Sequence, residues 1–139
     1  MKIHLYYFGK PRDPSANTMA EDYVRRISHY AKMQMLEIRA GRTDPWLKHP
    51  SAYLVCLDPA GKRLDSAALV ALVERIEREA RDVVFMVGGA DGLPEGWSKR
   101  ADLLLSLSPM TYPHELARVM LTEQIYRAFT TLRGHPYPR

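Results

Sequence analysis

The sequence predicts an α/β domain built on a mostly parallel sheet that helices flank. Segments with the period-two or all-apolar pattern of strands alternate along the chain with segments whose apolar residues recur every three or four positions, as in helices. The run 83–87 (VVFMV) is entirely apolar, which is typical of a strand covered on both faces. The chain has 139 residues, so we expect one domain over 1–139.

The first part of the chain predicts a strand, a helix and a second strand. Residues 2–8 are apolar and aromatic and end at a glycine, which favours a buried strand. Residues 16–31 carry apolar side chains at spacings of four, four and three, which is one face of a helix. Residues 33–39 alternate as a strand does. The stretch 40–51 contains Gly, Asp and two prolines, so we expect a loop with at most one helical turn.

The middle of the chain predicts a third strand and a second helix. Residues 52–58 (AYLVCLD) form the strand, and Pro59-Ala60-Gly61-Lys62 is expected to be the turn that ends it. Asp65 is placed to cap a helix over 66–80, which has its own apolar stripe.

The last part predicts two strands, at 83–87 and 102–107, and a long helix over 113–133. Pro113 suits the first helical turn, and Gly134 suits the position just after the last one. The expected core face of this helix consists of Leu116, Val119, Met120, Tyr126 and Phe129.

The composition limits the class of protein. The single cysteine, Cys56, allows neither an internal disulfide nor a cysteine-based zinc site. No apolar run approaches the about 18 residues of a membrane span, and the first residues do not form a signal peptide, so we expect a cytoplasmic protein. The net charge of +4 favours a polyanionic partner such as nucleic acid, although a solvated basic surface would give the same value.

Three loops leave the carboxyl ends of predicted strands, where open α/β sheets bind ligands. They follow Leu57-Asp58, span Gly88–Gly92 and span Ser108–Pro113. Glycine has no Cβ, so a ligand can lie against the backbone at Gly88. The loops form either one cofactor pocket or three ordinary turns. Neither the dinucleotide fingerprint nor a P-loop is present, which removes support for a dinucleotide enzyme or an NTPase.

Two further groups of residues could carry chemistry. His114 and Arg118 are four apart at the start of the last helix and share a face, so they form either a catalytic or RNA-positioning pair or a solvated surface. The C-terminal tail brings His135, Tyr137 and Arg139 together, which suits phosphate contact and base stacking, whereas a frayed tail needs no function.

The chain resembles the RlmH family of ribosomal large subunit pseudouridine N3-methyltransferases over nearly its whole length. The C-terminal segment resembles the signature of this family throughout. The matching segments, in order, are MKIHLYYFGK, EDYVRRI, LDPAGKRLDS, VVFMVGGADGL and LSLSPMTYPHELARVMLTEQIYRAFTTLRGHPYPR. Two departures stand out: the stretch 41–51 is shorter than in most members, and Pro138 occupies a position where the family commonly has histidine.

The resemblance implies a SPOUT fold, with the C-terminal segment threaded through a trefoil knot, and a homodimer with its cofactor site near the subunit interface. It implies S-adenosylmethionine as cofactor, no metal, and methylation of N3 of a pseudouridine in the 23S rRNA of the assembled ribosome. The family's RNA-facing residues would map to His114, Arg118, Tyr137 and Arg139. Of these, we expect His114 and Arg118 to be catalytic and Tyr137 and Arg139 to bind RNA. The implied cofactor contacts are Leu57, Gly88, Leu107, Ser108, Pro109, Met110, Thr111 and Tyr112.

The chemistry of the implied reaction indicates how it proceeds, although the resemblance does not identify the family's general base. The donor is already activated, so the main task is to align the methyl carbon with N3. His114 is the expected acceptor of the N3 proton, and Arg118 would stabilise negative charge on the ring.

The apolar residues Leu121, Ile125 and Leu132 of the last helix are expected to need cover in a dimer. The alternatives are a non-catalytic RNA- or ribosome-binding module of the same fold and a cofactor-binding regulator.

Overall fold

A computed structural model describes residues 1–39, 41–42 and 44–137. Within them the chain forms a sheet with strand order β2-β1-β4-β3-β5, in which every pairing is parallel. The strands are β1 (Lys2–Tyr7), β2 (Lys32–Glu37), β3 (Tyr53–Arg63), β4 (Val83–Val87) and β5 (Leu103–Ser106). The helices are α1 (Pro14–Ile27), α2 (Pro45–Lys48), α3 (Ser66–Arg78) and α4 (His114–Leu132), with a 3-10 turn at Ser98–Arg100. The predicted α/β class and parallel sheet are confirmed.

Strand β4 lies at the centre of the sheet and is buried along its whole length, as its apolar sequence predicts. Its side chains alternate between two cores. Phe85 packs with α1, α3 and α4 on one face. Met86 packs with Cys56 and Trp97 on the other. Cys56 is a core residue, and burial raises the pKa of its thiol to about 12.

Several helix boundaries follow the predicted signals. Asp65 caps α3 by accepting a hydrogen bond from the Ala68 amide at 2.7 Å, as predicted. Gly134 follows α4 with a φ of +71°, the left-handed conformation that glycine adopts at little cost. Helix α1 ends at Ile27, although the apolar spacing continues to Tyr30. Tyr30 still stacks on Phe129, so its apolar character reflects packing beyond the helix end.

The predicted end of the third strand is wrong. Strand β3 continues to Arg63, and its register against β5 shifts so that Leu105 lies opposite both Leu57 and Lys62. The four residues between bulge outward, and Asp58 Oδ1 accepts a hydrogen bond from the Ala60 amide at 2.9 Å. The turn chemistry is therefore real, but it produces a bulge after which pairing resumes.

The expected core face of α4 is partly wrong, and so is the reason given for dimerisation. Leu116 and Met120 are 47% and 49% exposed, whereas Leu121 and Ile125 are at most 1% exposed within the chain itself. Helix α4 packs against α1, α3 and the sheet, which rotates its buried stripe away from the predicted one. The trefoil knot stays a prediction.

Candidate active site

The three predicted loops meet at one cavity of about 470 Å³ at the carboxyl ends of β3, β4 and β5. Of the two interpretations that the sequence left open, the structure supports one pocket rather than three ordinary turns. The wall is mostly apolar, with Asp58, Ser108, Thr111 and His114 as its polar side chains. A cavity of this size and character is typical of small-molecule sites.

Most of the expected cofactor residues line this cavity. Pro109 does not, although its neighbours do. Arg118 and Tyr137 do not line it either, and Arg139 lies outside the described residues. The predicted residues that line the cavity are Leu57, Gly88, Leu107, Ser108, Met110, Thr111, Tyr112 and His114.

Hydrogen bonds between and within the loops shape the cavity. Ser106, which is buried at the end of β5, donates through Oγ to the carbonyl of Pro59 at 3.0 Å and so ties β5 to the bulge of β3. Ser108 Oγ accepts from the Met110 amide at 3.1 Å, which turns the last loop. These bonds hold the bulge of β3 against β5 and shape the loop that follows β5.

The glycines after β4 are required by the close packing of the backbone in this loop, and not only by the space that a ligand needs. A Cβ on Gly88 would lie 2.6 Å from the carbonyl carbon of Gly92, and one on Gly89 would lie 2.9 Å from the carbonyl oxygen of Phe8. Both distances are too short for real atoms. The expected reason for Gly88, space for a ligand, is therefore incomplete: a side chain there would first displace the protein's own backbone.

His114 is the titratable side chain that the structure places at the cavity wall from α4. It is the first residue of the helix and is half-buried. Its ring lies beside Gly9, because a Cβ on Gly9 would be 3.5 Å from His114 Nε2, an ordinary van der Waals contact. The loop after β1 therefore lies against the imidazole beside the cavity.

Arg118 is not on a solvated helix face. It is 2% exposed, and its guanidinium carbon lies 3.8 Å from the centre of the Tyr7 ring. Its Nη1 lies 3.9 Å from the sulfur of Met35, and its Nη2 lies 3.8 Å from Glu115 Oε1. The side chain thus joins α4 to the ends of β1 and β2, and in this arrangement it faces neither solvent nor the cavity.

Glu115 has a role that the sequence pattern did not reveal. Its carboxylate accepts hydrogen bonds from the backbone amides of Arg12 at 2.7 Å and Asp13 at 3.1 Å. The bond from the Arg12 amide is the main cause that lowers the pKa of this carboxyl. Asp13 in turn caps α1. Glu115 therefore fixes the loop after β1 to the first turn of α4.

Tyr137 is folded back on its own helix rather than frayed. Its ring centre lies 4.7 Å from that of Tyr126, and its hydroxyl donates to Glu123. Burial, then this hydrogen bond, raises the pKa of the phenol. Glu123 is nine residues beyond His114, which is roughly 14 Å along a helix. Tyr137 therefore lies away from the cavity of its own chain.

The described residues include no helix long and apolar enough to cross a membrane. Among the same residues, no three His, Cys, Asp or Glu side chains come together as ligands for a metal ion.

The class of protein follows from a family model. The model, described as "Predicted SPOUT methyltransferase", matches residues 1–138, so the chain is a methyltransferase of the SPOUT class. A solved structure of the SpoU methyltransferase AviRb from Streptomyces viridochromogenes, in complex with the cofactor AdoMet, superposes with a TM-score of 0.53 at 12% identity, over 92% of this chain and 58% of that one. At this identity the likeness shows the fold.

Two curated relatives make the assignment narrower. "Ribosomal RNA large subunit methyltransferase H" from Solibacter usitatus is 60% identical over 139 residues and covers 100% of both chains. The protein of the same name from Sorangium cellulosum is 41% identical and covers 99% of each chain. The chain therefore belongs to the RlmH family of SPOUT methyltransferases, as the sequence resemblance predicted.

Proposed function

We propose that the protein uses S-adenosylmethionine to methylate N3 of a pseudouridine in the 23S rRNA of the assembled ribosome, in the cytoplasm, as one SPOUT domain over 1–139. The observation that carries the proposal is the convergence of three distant loops and His114 on one cavity. The names of the full-length relatives support ribosomal RNA as the substrate.

The cavity fits the proposed cofactor. Its apolar walls, including Leu57 and Leu107, suit an adenine ring, and its volume of about 470 Å³ suits a nucleoside-sized ligand. Asp58 brings a carboxylate to the wall, which suits a ligand hydroxyl or amine. When bound, S-adenosylmethionine supplies an activated methyl group. The chain's own residues must then orient the acceptor and remove its proton.

His114 is the proposed acceptor of the N3 proton. A pyrimidine nitrogen must lose its proton as it gains a methyl group, and a histidine at the cavity wall can take it directly or through one water. Arg118 is proposed to act indirectly, through the position of His114. Because it is buried under Tyr7, it holds the first turns of α4 against β1 and so positions His114. Direct contact of Arg118 with the base would require its guanidinium to leave the Tyr7 ring.

A homodimer is proposed on a different surface from the one the sequence suggested. Met19 on α1 is 51% exposed, and Leu116 and Met120 on α4 are exposed to a similar extent. These two helices pack together, and Leu116 is adjacent to cavity residue Ala117. Light scattering should give a dimer at micromolar concentration. Leu116→Lys combined with Met120→Lys should give a monomer, while Leu47→Lys on α2 should not; a monomeric parent protein would refute the proposal.

The tail is proposed to act on the partner's cavity. Tyr137 and Arg139 end the chain, and Tyr137 contacts the middle of α4, away from its own His114. Deleting 135–139 should leave cofactor binding nearly intact and remove methyl transfer. Full transfer by the truncated protein would show that the tail has no part in the reaction.

The test of the cofactor site uses Ala117, which lines the cavity from the helix and can be enlarged without moving a loop. Calorimetric titration with S-adenosylmethionine should show binding to the parent protein and to Ala67→Phe, which enlarges an exposed alanine of α3. Ala117→Phe should bind much more weakly because the ring occupies the cavity. Equal affinity of the two variants would place the cofactor elsewhere.

The activity itself is tested by transfer of a labelled methyl group to ribosomes that lack the modification. Transfer to 23S rRNA, lost in His114→Ala while cofactor affinity is kept, supports the proposal. Binding of ribosomes without any transfer would instead support a non-catalytic module.

A further inference from the structure

A second groove lies at the carboxyl ends of β1 and β2, with a volume of about 450 Å³. Tyr6 forms part of the wall of this groove. Three cations and one carboxylate surround it, namely Arg39, Arg42, Lys48 and Glu37, and all four are exposed. The groove therefore has a positive balance of charge and is open to a ligand from solvent.

Among the described residues, none of the three cations forms an ion pair. The ion pairs among the described residues include Arg26, Arg127 and Arg133, but none includes Arg39, Arg42 or Lys48. Cations gathered in one groove repel one another, and the single carboxylate of Glu37 offsets only part of this repulsion, which favours a bound anion.

Buried aromatic contacts hold one wall of the groove in place. The hydroxyl of Tyr6 and Nε2 of His49 are 2.8 Å apart, and the His49 ring stacks on His4 with ring centres 3.9 Å apart. Gln34 of β2 donates to His4 Nδ1 at 2.7 Å. Because His49 directly follows Lys48, this stack ties the end of α2 to β1 and β2. Lys48 is thus placed by packing rather than by a free loop.

The groove opens at the same edge of the sheet as the methyltransferase cavity. Strand β1 lies between β2 and β4, so the two sites are separated by about two strand spacings, or roughly 10 Å. The loop after β1 lies between them and carries the exposed side chains of Lys10 and Arg12. Phosphates follow one another about every 3.4 Å along a stacked strand, so a few nucleotides cover this distance.

We propose that this groove binds backbone phosphates of the RNA whose target base enters the cavity. The inference rests on the proposed function and adds the surface that holds the substrate. Arg39, Arg42 and Lys48 contact phosphates, and Glu37 limits the affinity by repulsion. Such contacts set the register and orientation of an RNA without reading its sequence.

The test compares two triple variants of equal charge change. The groove variant is Arg39→Gln with Arg42→Gln and Lys48→Gln. The control, Lys2→Gln with Lys32→Gln and Arg78→Gln, removes exposed cations that do not line the groove. Calorimetry with S-adenosylmethionine and thermal melting should give similar values for both variants and for the parent protein.

Methyl transfer to ribosomes that lack the modification should then separate the two variants. The groove variant should raise KM on the order of ten- to a hundredfold, with little change in kcat. The slope of log KM against the logarithm of the salt concentration should fall by roughly 2 to 3, because about three phosphate contacts are lost. Glu37→Gln should lower KM a few-fold, since it removes the repelling carboxylate.

Each result decides between the two proposals. If the parent protein transfers methyl groups but both triple variants have the same KM and salt slope, the groove does not bind RNA and the function stands. If the parent protein transfers none, the proposed function fails. Filter binding of ribosomes then tests the groove alone: weaker binding by the groove variant than by the control supports it, and equal binding overturns it.

Discussion

Helix α4 carries two units, each a Glu–Arg pair beside a tyrosine from another part of the chain, in very different surroundings. Near its start, Arg118 lies under Tyr7 and beside Glu115 and is 2% exposed. Near its end, Arg127 pairs with Glu123 at 2.8 Å, beside Tyr137, and its side chain is 32% exposed. The shorter ion pair is the one nearer to solvent.

The difference shows that burial, rather than ion-pair distance, decides what such a unit contributes. A buried cation must keep its partners, because water cannot replace them. An exposed pair can exchange its partner for water at small cost. The first unit therefore fixes the elements around His114, whereas the second holds the tail by contacts that are weak enough to be rearranged.

The largest effect is expected from Arg118→Ala. It removes a large buried side chain together with its contact to the Tyr7 ring, so the free energy of unfolding should fall by about 3–5 kcal/mol. Arg118→Met, which fills most of the space, should lose less. Urea unfolding measures both. A loss no greater than that in Arg127→Ala would contradict the comparison.

A smaller loss is expected from Glu115→Gln, about 1–2 kcal/mol near neutral pH, because a charged acceptor of two backbone amides is replaced by a neutral one. The pKa of Glu115 is lowered in the folded protein. Its contribution is therefore complete above the carboxyl's ordinary pKa and is lost as the pH falls through the folded value.

Urea unfolding at several pH values checks this sign. The difference in stability between the parent protein and Glu115→Gln should shrink as the pH falls below about 4.3, the ordinary value for a glutamate. A difference that stays constant to low pH would mean that the carboxylate does not hold the loop.

Tyr137→Phe tests the second unit, in which Arg127 and Glu123 lie beside Tyr137. It keeps the ring against Tyr126 and removes the hydroxyl that donates to Glu123, so we expect a loss of about 1 kcal/mol. Tyr112→Phe serves as control, because no partner of the Tyr112 hydroxyl is found among the described residues. Equal stability of the two variants would mean that the tail is not held by this bond.

The smallest effect is expected from Arg127→Gln, about 0.5 kcal/mol, since the pair is partly exposed. Salt screens exposed pairs, so the effect should fall further in 1 M salt, while that of Arg118→Ala should change little. Thermal melting at low and high salt measures both. A loss in Arg127→Gln that is independent of salt would show that the pair is effectively buried.

Much of the fold followed from local patterns. The apolar run of β4, the cap at Asp65 and the glycine after α4 each act through neighbours in sequence, and each prediction is confirmed. The end of β3 did not follow. The turn residues Pro59 to Lys62 form a bulge, because β5 offers a partner to which the strand returns after it.

The sequence predicted part of the candidate site in the same way as it predicted part of the fold. The positions of its loops at strand ends followed from the pattern, and the residues of the family resemblance coincide with the cavity at Leu57, Gly88 and Leu107. The role of Glu115 did not follow, since its partners at Arg12 and Asp13 lie about one hundred residues away in sequence. The burial of Arg118 depends in the same way on Tyr7 and Met35.

The sequence by itself determined the alternation of strands and helices, the family and the loops that line the cavity. These depend on periodicity, capping and turn chemistry, which act over a few residues. Only the tertiary structure decided which face of α4 is buried, why Gly88 must be glycine, and which of two Glu–Arg pairs is enclosed. These depend on what distant strands and loops place against a residue, and the same side chain has a different energy in water and in the core.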